Sequence, residues 1–454
     1  MSIESINPAT GAVLRRFKPL TEEAVRQKIA TAADAFRSYA AVPLSHRSLC
    51  MRKLANLIEE DAAELALIIT QEMGKPLHSS HAELAKCAAV CRYYADNALR
   101  MLAPETIVTD AMRSYVRWDP LGVVLAVMPW NFPFWQVFRF LAPALMGGNV
   151  GLLKHAPNVP QCALAIESLV RRAGFPRGTF QSLLIETSQV DGVLADPRII
   201  AVTLTGSESA GRAVGAQAGW LIKKSVLELG GSDPFIVLSS ADLDLAVENA
   251  ILARCVNSGQ SCIAAKRFIV HEAVYAEFAQ RFVAGMAAVR VGDPMLDTTD
   301  IGPIATARLL DTLDAQVNAA IASGARLLTG GRRILGPGFY FEPTVLADLP
   351  RTAPVYRDEF FGPVALLFRA SSLDEAIEIA NDTPFGLAAS GWTRDTEEQQ
   401  RLVAEIQAGA VFINKMVASD PRLPFGGIKH SGFGRELSIA GMREFMNAKT
   451  VVVA

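Results

Sequence analysis

Gly259-Gln260-Ser261-Cys262 is the stretch of this chain best suited to covalent chemistry. A glycine turn lets a substrate approach the backbone closely, and a cysteine presented there is a strong nucleophile as its thiolate. The competing reading is a small packed apolar side chain, a common fate of a free cysteine. Glu228-Leu229-Gly230-Gly231 sets a carboxylate between an apolar run and two glycines. Burial there would raise its pKa towards that of a general base, whereas solvent would make it an ordinary loop residue. Asn131, in Trp130-Asn131-Phe132-Pro133, follows the run GVVLAVMP. Its amide can donate to a developing oxyanion, or form an Asx turn before a proline-led helix. Thr205-Gly206-Ser207, with Gly211 beyond, follows RIIAVTLTG and opens a helix, where an anion is well placed. It is not the G-x-G-x-x-G fingerprint, so pattern alone does not make it a nucleotide site. Lys154 ends the run NVGLLK, either to meet ribose hydroxyls or a phosphate, or as a solvated lysine.

Most of these residues sit at the ends of short apolar runs. GVVLAVMP, NVGLLK, GTFQSLLI, RIIAVTLTG and KSVLEL alternate with periodic stretches such as 163–173 and 210–218. Such alternation predicts a parallel sheet covered on both faces, with ligands at the carboxyl ends of its strands. A second alternating region, from about Gly231 to Asn414, carries FIVL, RFIV, VALLF and GAVFI with helices over 242–254 and 274–289. The first hundred residues read as helices over 21–39, 45–73 and 80–101, with apolar residues at i, i+3, i+4. Residues 114–118 alternate like an exposed hairpin strand. The tail from about Gly434 holds one short helix and the strand-like TVVV. With no core of its own, it is expected to pair elsewhere, for instance with the 107–118 hairpin of a partner subunit.

Composition narrows the function classes. The chain has 454 residues, half hydrophobic and a fifth charged, with a net charge of −2, the balance of an ordinary soluble globular protein. No basic footprint suggests nucleic acid, and no basic amphipathic stretch suggests a membrane surface. The cysteines (Cys50, Cys87, Cys91, Cys162, Cys255, Cys262) form no C-x-x-C pair and the histidines are scattered, so no metal is expected. Reduced thiols, no signal-peptide pattern in MSIESINPATG and no spanning apolar run favour the cytoplasm.

In order and spacing these stretches resemble the aldehyde dehydrogenase superfamily over essentially the whole chain. Further landmarks are INPATG from residue 6, PWNFP at 129–133, LELGG at 227–231, EFFGPV at 359–364, NDTPFGLAAS at 381–390 and PFGGIKHSGFGRE at 424–436. The resemblance implies a Rossmann-type parallel-sheet nucleotide domain (1–106 and 119–229), an α/β catalytic domain (230–419) and a β oligomerisation arm (107–118 and 434–454). Homodimers or homotetramers would follow. It also implies that Cys262 attacks an aldehyde to give a thiohemiacetal, with the oxyanion held by Asn131 and the Cys262 N–H. Hydride then passes to nicotinamide, and Glu228 activates water to hydrolyse the thioester. Glu228 therefore favours a free acid over an acyl-CoA product. Lys154 matches the residue holding the adenosine ribose and Glu359 the one holding the nicotinamide ribose. Trp130, Gly206, Ser207 and Phe361 fall at further cofactor positions. Pro157 stands where NAD-preferring members often carry a glutamate that repels a 2′-phosphate, so NADP is expected to be accepted or preferred, with NAD co-accepted.

KHAPNV, GQSCIAAKRF and INKMVASD look most like the short bacterial succinate-semialdehyde dehydrogenases of that superfamily. Arg139 matches a carboxylate-binding arginine and Ser419 a substrate-loop serine, while Trp135 and Phe134 would line an entrance. On its own, Arg139 is as well read as a helix-surface salt bridge. Val256 stands where better-known members carry an arginine, a loss that Arg254 or Lys266 could compensate. Ala264, two residues past the nucleophile, excludes the local disulfide of some relatives. Glutarate semialdehyde or a short aliphatic aldehyde is the alternative substrate. A cysteine hydrolase and a non-catalytic nucleotide-binding protein are the alternative functions.

Overall fold

The computed structural model describes residues 3–454. Strand Val123–Met128 lies near the middle of a six-stranded sheet. Val150–His155 and Phe180–Ser182 lie on one side of it, Ile199–Thr205 and Lys224–Glu228 on the other, all parallel. The chain leaves this strand in one direction and later returns to its other side. That reversal opens a crevice at its carboxyl end, where Trp130 and Asn131 follow. Every residue of Val150–His155 is buried, as a strand covered on both faces requires. Gly432–Phe433 returns late in the chain to pair antiparallel with Lys224–Glu228.

Helices Glu22–Tyr39, Leu44–Glu60, Ala62–Met73, Leu77–Met101 and Trp135–Gly147 share one apolar core with this sheet. Thr21 caps the first, accepting from Ala24 N at 3.2 Å. The single helix expected over 45–73 is two. Asp61 leaves helical geometry (φ −92°, ψ 9°), and its carboxylate pairs with Arg172. The expected all-helical start is also corrected: Ile3–Ile6 and Val13–Phe17 form a hairpin.

A seven-stranded sheet follows, in the order Arg326–Thr329, Thr344–Ala347, Val364–Ala370, Arg267–His271, Pro234–Val237, Ala388–Trp392, Ala410–Ile413. Three of these strands (Arg326–Thr329, Thr344–Ala347 and Ala388–Trp392) were not expected from sequence. Separate apolar clusters cover its faces.

The tail differs from expectation. Met446–Val453 pairs antiparallel with Arg113–Pro120 of the same chain, from Met446 opposite Pro120 to Val453 opposite Arg113, and Glu105–Ile107 adds a third strand. The reason lies just upstream. Leu437, Met442 and Phe445 are buried in the core of the six-stranded sheet, and Tyr94 Oη donates to Ser438 O at 3.1 Å. The tail is thereby anchored beside its own hairpin. Among the described residues, no helix is long and apolar enough to cross a membrane.

Candidate active site

The loop before Cys262 is held in an unusual backbone path. Asn257, Ser258 and Gly259 all have left-handed φ (57°, 57° and 74°). For the first two this costs about 1–3 kcal/mol each, so the surroundings must enforce it. Asn257 Nδ2 donates to Asn131 O (2.8 Å) and Gln260 O (3.0 Å), and Ser258 Oγ accepts from Gly302 N (2.9 Å). A Cβ at Gly259 would collide with the Gly362 backbone. Two buried cations clamp the carbonyls that follow. Arg254 Nη2 donates to Gly259 O at 2.7 Å; Lys266 Nζ donates to Ser261 O at 2.8 Å and Cys262 O at 2.7 Å. Burial pushes the Cys262 thiol up to about 12, against the opposing pull of Arg139 and Lys266. At rest it is a thiol.

Two cavities meet at Cys262. One, of about 220 Å³, is lined by Trp130, Asn131, Gly206, Ser207, Glu359 and Phe361 among others. The second, of about 240 Å³, is lined by Lys86, Trp135, Arg139, Val256 and Ser419. Cys262 and Gln136 line both. Of the residues expected for the cofactor, Trp130, Gly206, Ser207, Glu359 and Phe361 line the first cavity, and those expected for the substrate, Trp135, Arg139 and Ser419, line the second. In the first cavity, Trp130 meets Phe361 edge-on with centroids 5.7 Å apart. Glu359 Oε1 accepts from Gly231 N (3.2 Å) and lies 3.3 Å from Lys266 Nζ. Ser207 caps helix Glu208–Trp220, accepting from Ala210 N at 3.3 Å.

Lys154 and Pro157 lie outside the lining of that cavity. Lys154 is only 6% exposed and forms no ion pair among the described residues, and burial lowers its pKa. A buried cation without a counter-ion at the end of its strand suits a phosphate-bearing nucleotide. Pro157 is exposed and brings no carboxylate to oppose one.

Asn131 is buried, with Nδ2 donating to Gln260 O at 3.1 Å. Its loop is fixed by residues that sequence reasoning missed. His155 Nε2 donates to Pro133 O at 2.8 Å while Nδ1 accepts from Ala156 N at 2.9 Å. Burial pushes that imidazole down to about 4, so it is a neutral clasp. Glu83 Oε1 accepts from Phe134 N and Trp135 N, both at 2.8 Å, and Oε2 meets Lys75 Nζ at 2.5 Å. Neither residue carries a sequence signal, since both lie in stretches with ordinary helix or strand patterning.

Glu228 ends its strand fully in the interior, and its carboxyl oxygens have no hydrogen-bond partner among the described residues. Burial and the neighbouring Glu436 push it well above the carboxylate range, against Arg139 and Arg435. Its carboxyl lies against Gly426 and lines neither cavity.

Arg139 is not on the surface. It is 2% exposed, pairs with Glu436 through Nε at 2.7 Å and stacks over Phe425 at 4.5 Å. Arg254 and Lys266 do not make up for Val256, because the loop carbonyls hold them away from the second cavity. Lys86 does line it, donating to Ser419 Oγ at 2.6 Å and lying 4.4 Å over the Trp135 ring. Its only signal was a lysine within an otherwise ordinary amphipathic helix.

A cysteine at the crevice of a doubly wound sheet is the arrangement of a nucleotide-dependent enzyme with a thiol nucleophile. The chain belongs to the aldehyde dehydrogenase family, whose model matches residues 1–451. It is 56% identical, over all of both chains, to a probable succinate-semialdehyde dehydrogenase [NADP(+)] of a Synechocystis species. It is 53% identical, again over both full lengths, to succinate-semialdehyde dehydrogenase [NADP(+)] 1 of Mycobacterium tuberculosis. The crystal structure of succinic semialdehyde dehydrogenase from Streptococcus pyogenes in complex with NADP+ superposes with a TM-score of 0.97 at 37% identity, covering 99% of each chain.

Proposed function

We propose that this enzyme oxidises succinate semialdehyde to succinate in the cytoplasm, with NADP as preferred cofactor and NAD also accepted. The observation that carries the substrate is the second cavity: two cations, Arg139 and Lys86, and the Ser419 hydroxyl line the same space as the Cys262 thiol. A distal carboxylate needs such donors, and the names of the full-length relatives agree. The cofactor reading rests on Pro157 and on buried Lys154, which has no ion-pair partner among the described residues. Residues 1–106 and 119–229 form the nucleotide-binding part and 230–419 the catalytic part. The arm, 107–118 with 434–454, joins protomers into a homodimer or homotetramer.

Trp130, Gly206, Ser207, Glu359 and Phe361 would hold the nicotinamide side of the cofactor and Lys154 its adenosine side. When bound, nicotinamide supplies the hydride acceptor. Cys262 Sγ attacks the aldehyde carbon as its proton departs. Glu228, turned out of its pocket and ionised, is the base this chain provides. The oxyanion takes the second amide hydrogen of Asn131 and the Cys262 N–H. Loss of hydride leaves a thioester on Cys262. After that first proton passes from Glu228 to solvent, the carboxylate takes a proton from water, the hydroxide adds to the thioester, and the Cys262 sulfur departs.

Initial rates of NAD(P)H formation with succinate semialdehyde, glutarate semialdehyde and pentanal, each with NADP and with NAD, test the assignment. The highest kcat/KM is expected for succinate semialdehyde with NADP. Equal or better use of pentanal would remove the substrate, and a preference for NAD would remove the cofactor order. Glu228→Gln is expected to give a burst of NADPH near one per site, then a slow steady state. Progress curves without a burst at the wild-type rate would show that Glu228 is not the deacylating base.

A further inference from the structure

We infer that Lys86, held by Ser419, carries the free positive charge that binds the carboxylate of the semialdehyde. This rests on the reading of the second cavity as the site of a carboxylate-bearing substrate. Two cations face that cavity, but their circumstances differ. The Arg139 charge is already matched by Glu436 at 2.7 Å, with both side chains buried. Lys86, on helix Leu77–Met101, is half-buried and has no carboxylate within ion-pair distance among the described residues. Its hydrogen-bond partner is the neutral Ser419 hydroxyl, and its other neighbour is the Trp135 ring.

The two acids nearest to it are committed elsewhere. Glu83 is occupied by Lys75 and by the backbone N–H groups of Phe134 and Trp135. Asp420 holds Arg422 at 2.5 Å. A lysine placed beside an arginine in a recess, with neither local carboxylate free, lacks an anion that the substrate can bring. Ser419 Oγ spends a lone pair on Lys86, which leaves its own O–H to donate to the same carboxylate. The arginine absent at Val256 is therefore replaced from a different element, the long helix across the cavity.

Burial and the charge of Arg139 push the Lys86 ammonium down to about 8. The cation is present below that value and lost as pH rises through it. The other ionisable groups facing it are Arg139 on the neighbouring helix, Glu83 and Cys87 on its own helix, and Asp420 on the loop. Arg422 holds Asp420 down at about 2 and burial holds the Cys87 thiol well above its ordinary value, so neither titrates near pH 8.

The test is the ratio of kcat/KM for succinate semialdehyde to that for pentanal, in which effects on Cys262 and Glu228 cancel. In Lys86→Met the ratio is expected to fall by about tenfold to a hundredfold, mainly through KM for the anionic substrate. Lys86→Arg should recover most of it. In the wild-type enzyme, the ratio should fall as pH is raised through about 8. That measurement stands even if Lys86→Met does not fold. A wild-type preference that survives in Lys86→Met, or that is flat in pH across this range, overturns the inference alone. A wild-type enzyme with no preference for the anionic substrate overturns both the inference and the function on which it rests.

Discussion

Cys262→Ala leaves no measurable aldehyde oxidation. The expected loss in kcat is on the order of a million-fold, the scale seen when a covalent nucleophile is deleted. No other thiol can take over. Cys50, Cys87, Cys91 and Cys162 are buried in the core, Cys255 packs against Met286 Sδ at 3.8 Å, and none of them lines either cavity. The loop itself should survive the change, because its clamps act on carbonyls of residues 259, 261 and 262 and not on the sulfur. Binding of NADP, followed by quenching of protein fluorescence, is the control for folding. Retention of more than about 1% of turnover would remove the covalent mechanism, given the size of the effect expected. The same sulfur should report its protonation state. With its pKa pushed up to about 12, the thiolate fraction grows about tenfold per pH unit, and alkylation of the free enzyme by iodoacetamide should follow.

Glu83→Ala has the largest expected effect on stability. It removes the one carboxylate partner that Lys75 has among the described residues, and both side chains of this pair are 0% exposed. Lys75 would keep the Phe132 ring, 4.0 Å from its ammonium. Breaking a buried pair on one side costs about 3–5 kcal/mol. The change also strips two N–H groups at the start of helix Trp135–Gly147 of their acceptor. That turn follows directly on Asn131, and the helix carries Gln136 and Arg139 to the second cavity. A misplacement of about 1 Å there would lower kcat by roughly a hundredfold. A markedly lower denaturation midpoint is expected, together with the kcat defect in whatever folded enzyme remains. The double change Glu83→Gln with Lys75→Met should recover stability, since it removes the stranded charge. Wild-type stability and kcat in Glu83→Ala would show that neither the pair nor the cap matters.

Local signals and tertiary context contributed differently to this site. The strands ending in Met128, His155, Thr205 and Glu228 were visible as apolar runs, because strands buried on both faces need no alternation. Arg326–Thr329 escaped notice because it is an exposed edge strand, and the break at Asp61 because the apolar spacing continues across it. The tail does join the hairpin that its strand-like end predicts, but the hairpin is that of its own chain. TVVV reads as a strand wherever its partner lies, and only the burial of Leu437, Met442 and Phe445 sends it to its own hairpin.

The sequence by itself determined the family and the parallel-sheet architecture, and its short motifs singled out Cys262, Asn131 and Glu228 as candidates; of these the structure brings Cys262 and Asn131 to one cavity and leaves Glu228 off both. Tertiary structure alone decided which charges are free. Arg139 is matched by Glu436, Lys266 and Arg254 are absorbed by the carbonyls of the loop before and at Cys262, and Lys86 lines the second cavity with no paired carboxylate among the described residues. Charge pairing is a property of three-dimensional neighbours. Lys86 and Ser419 lie 333 residues apart in the chain and 2.6 Å apart in the fold.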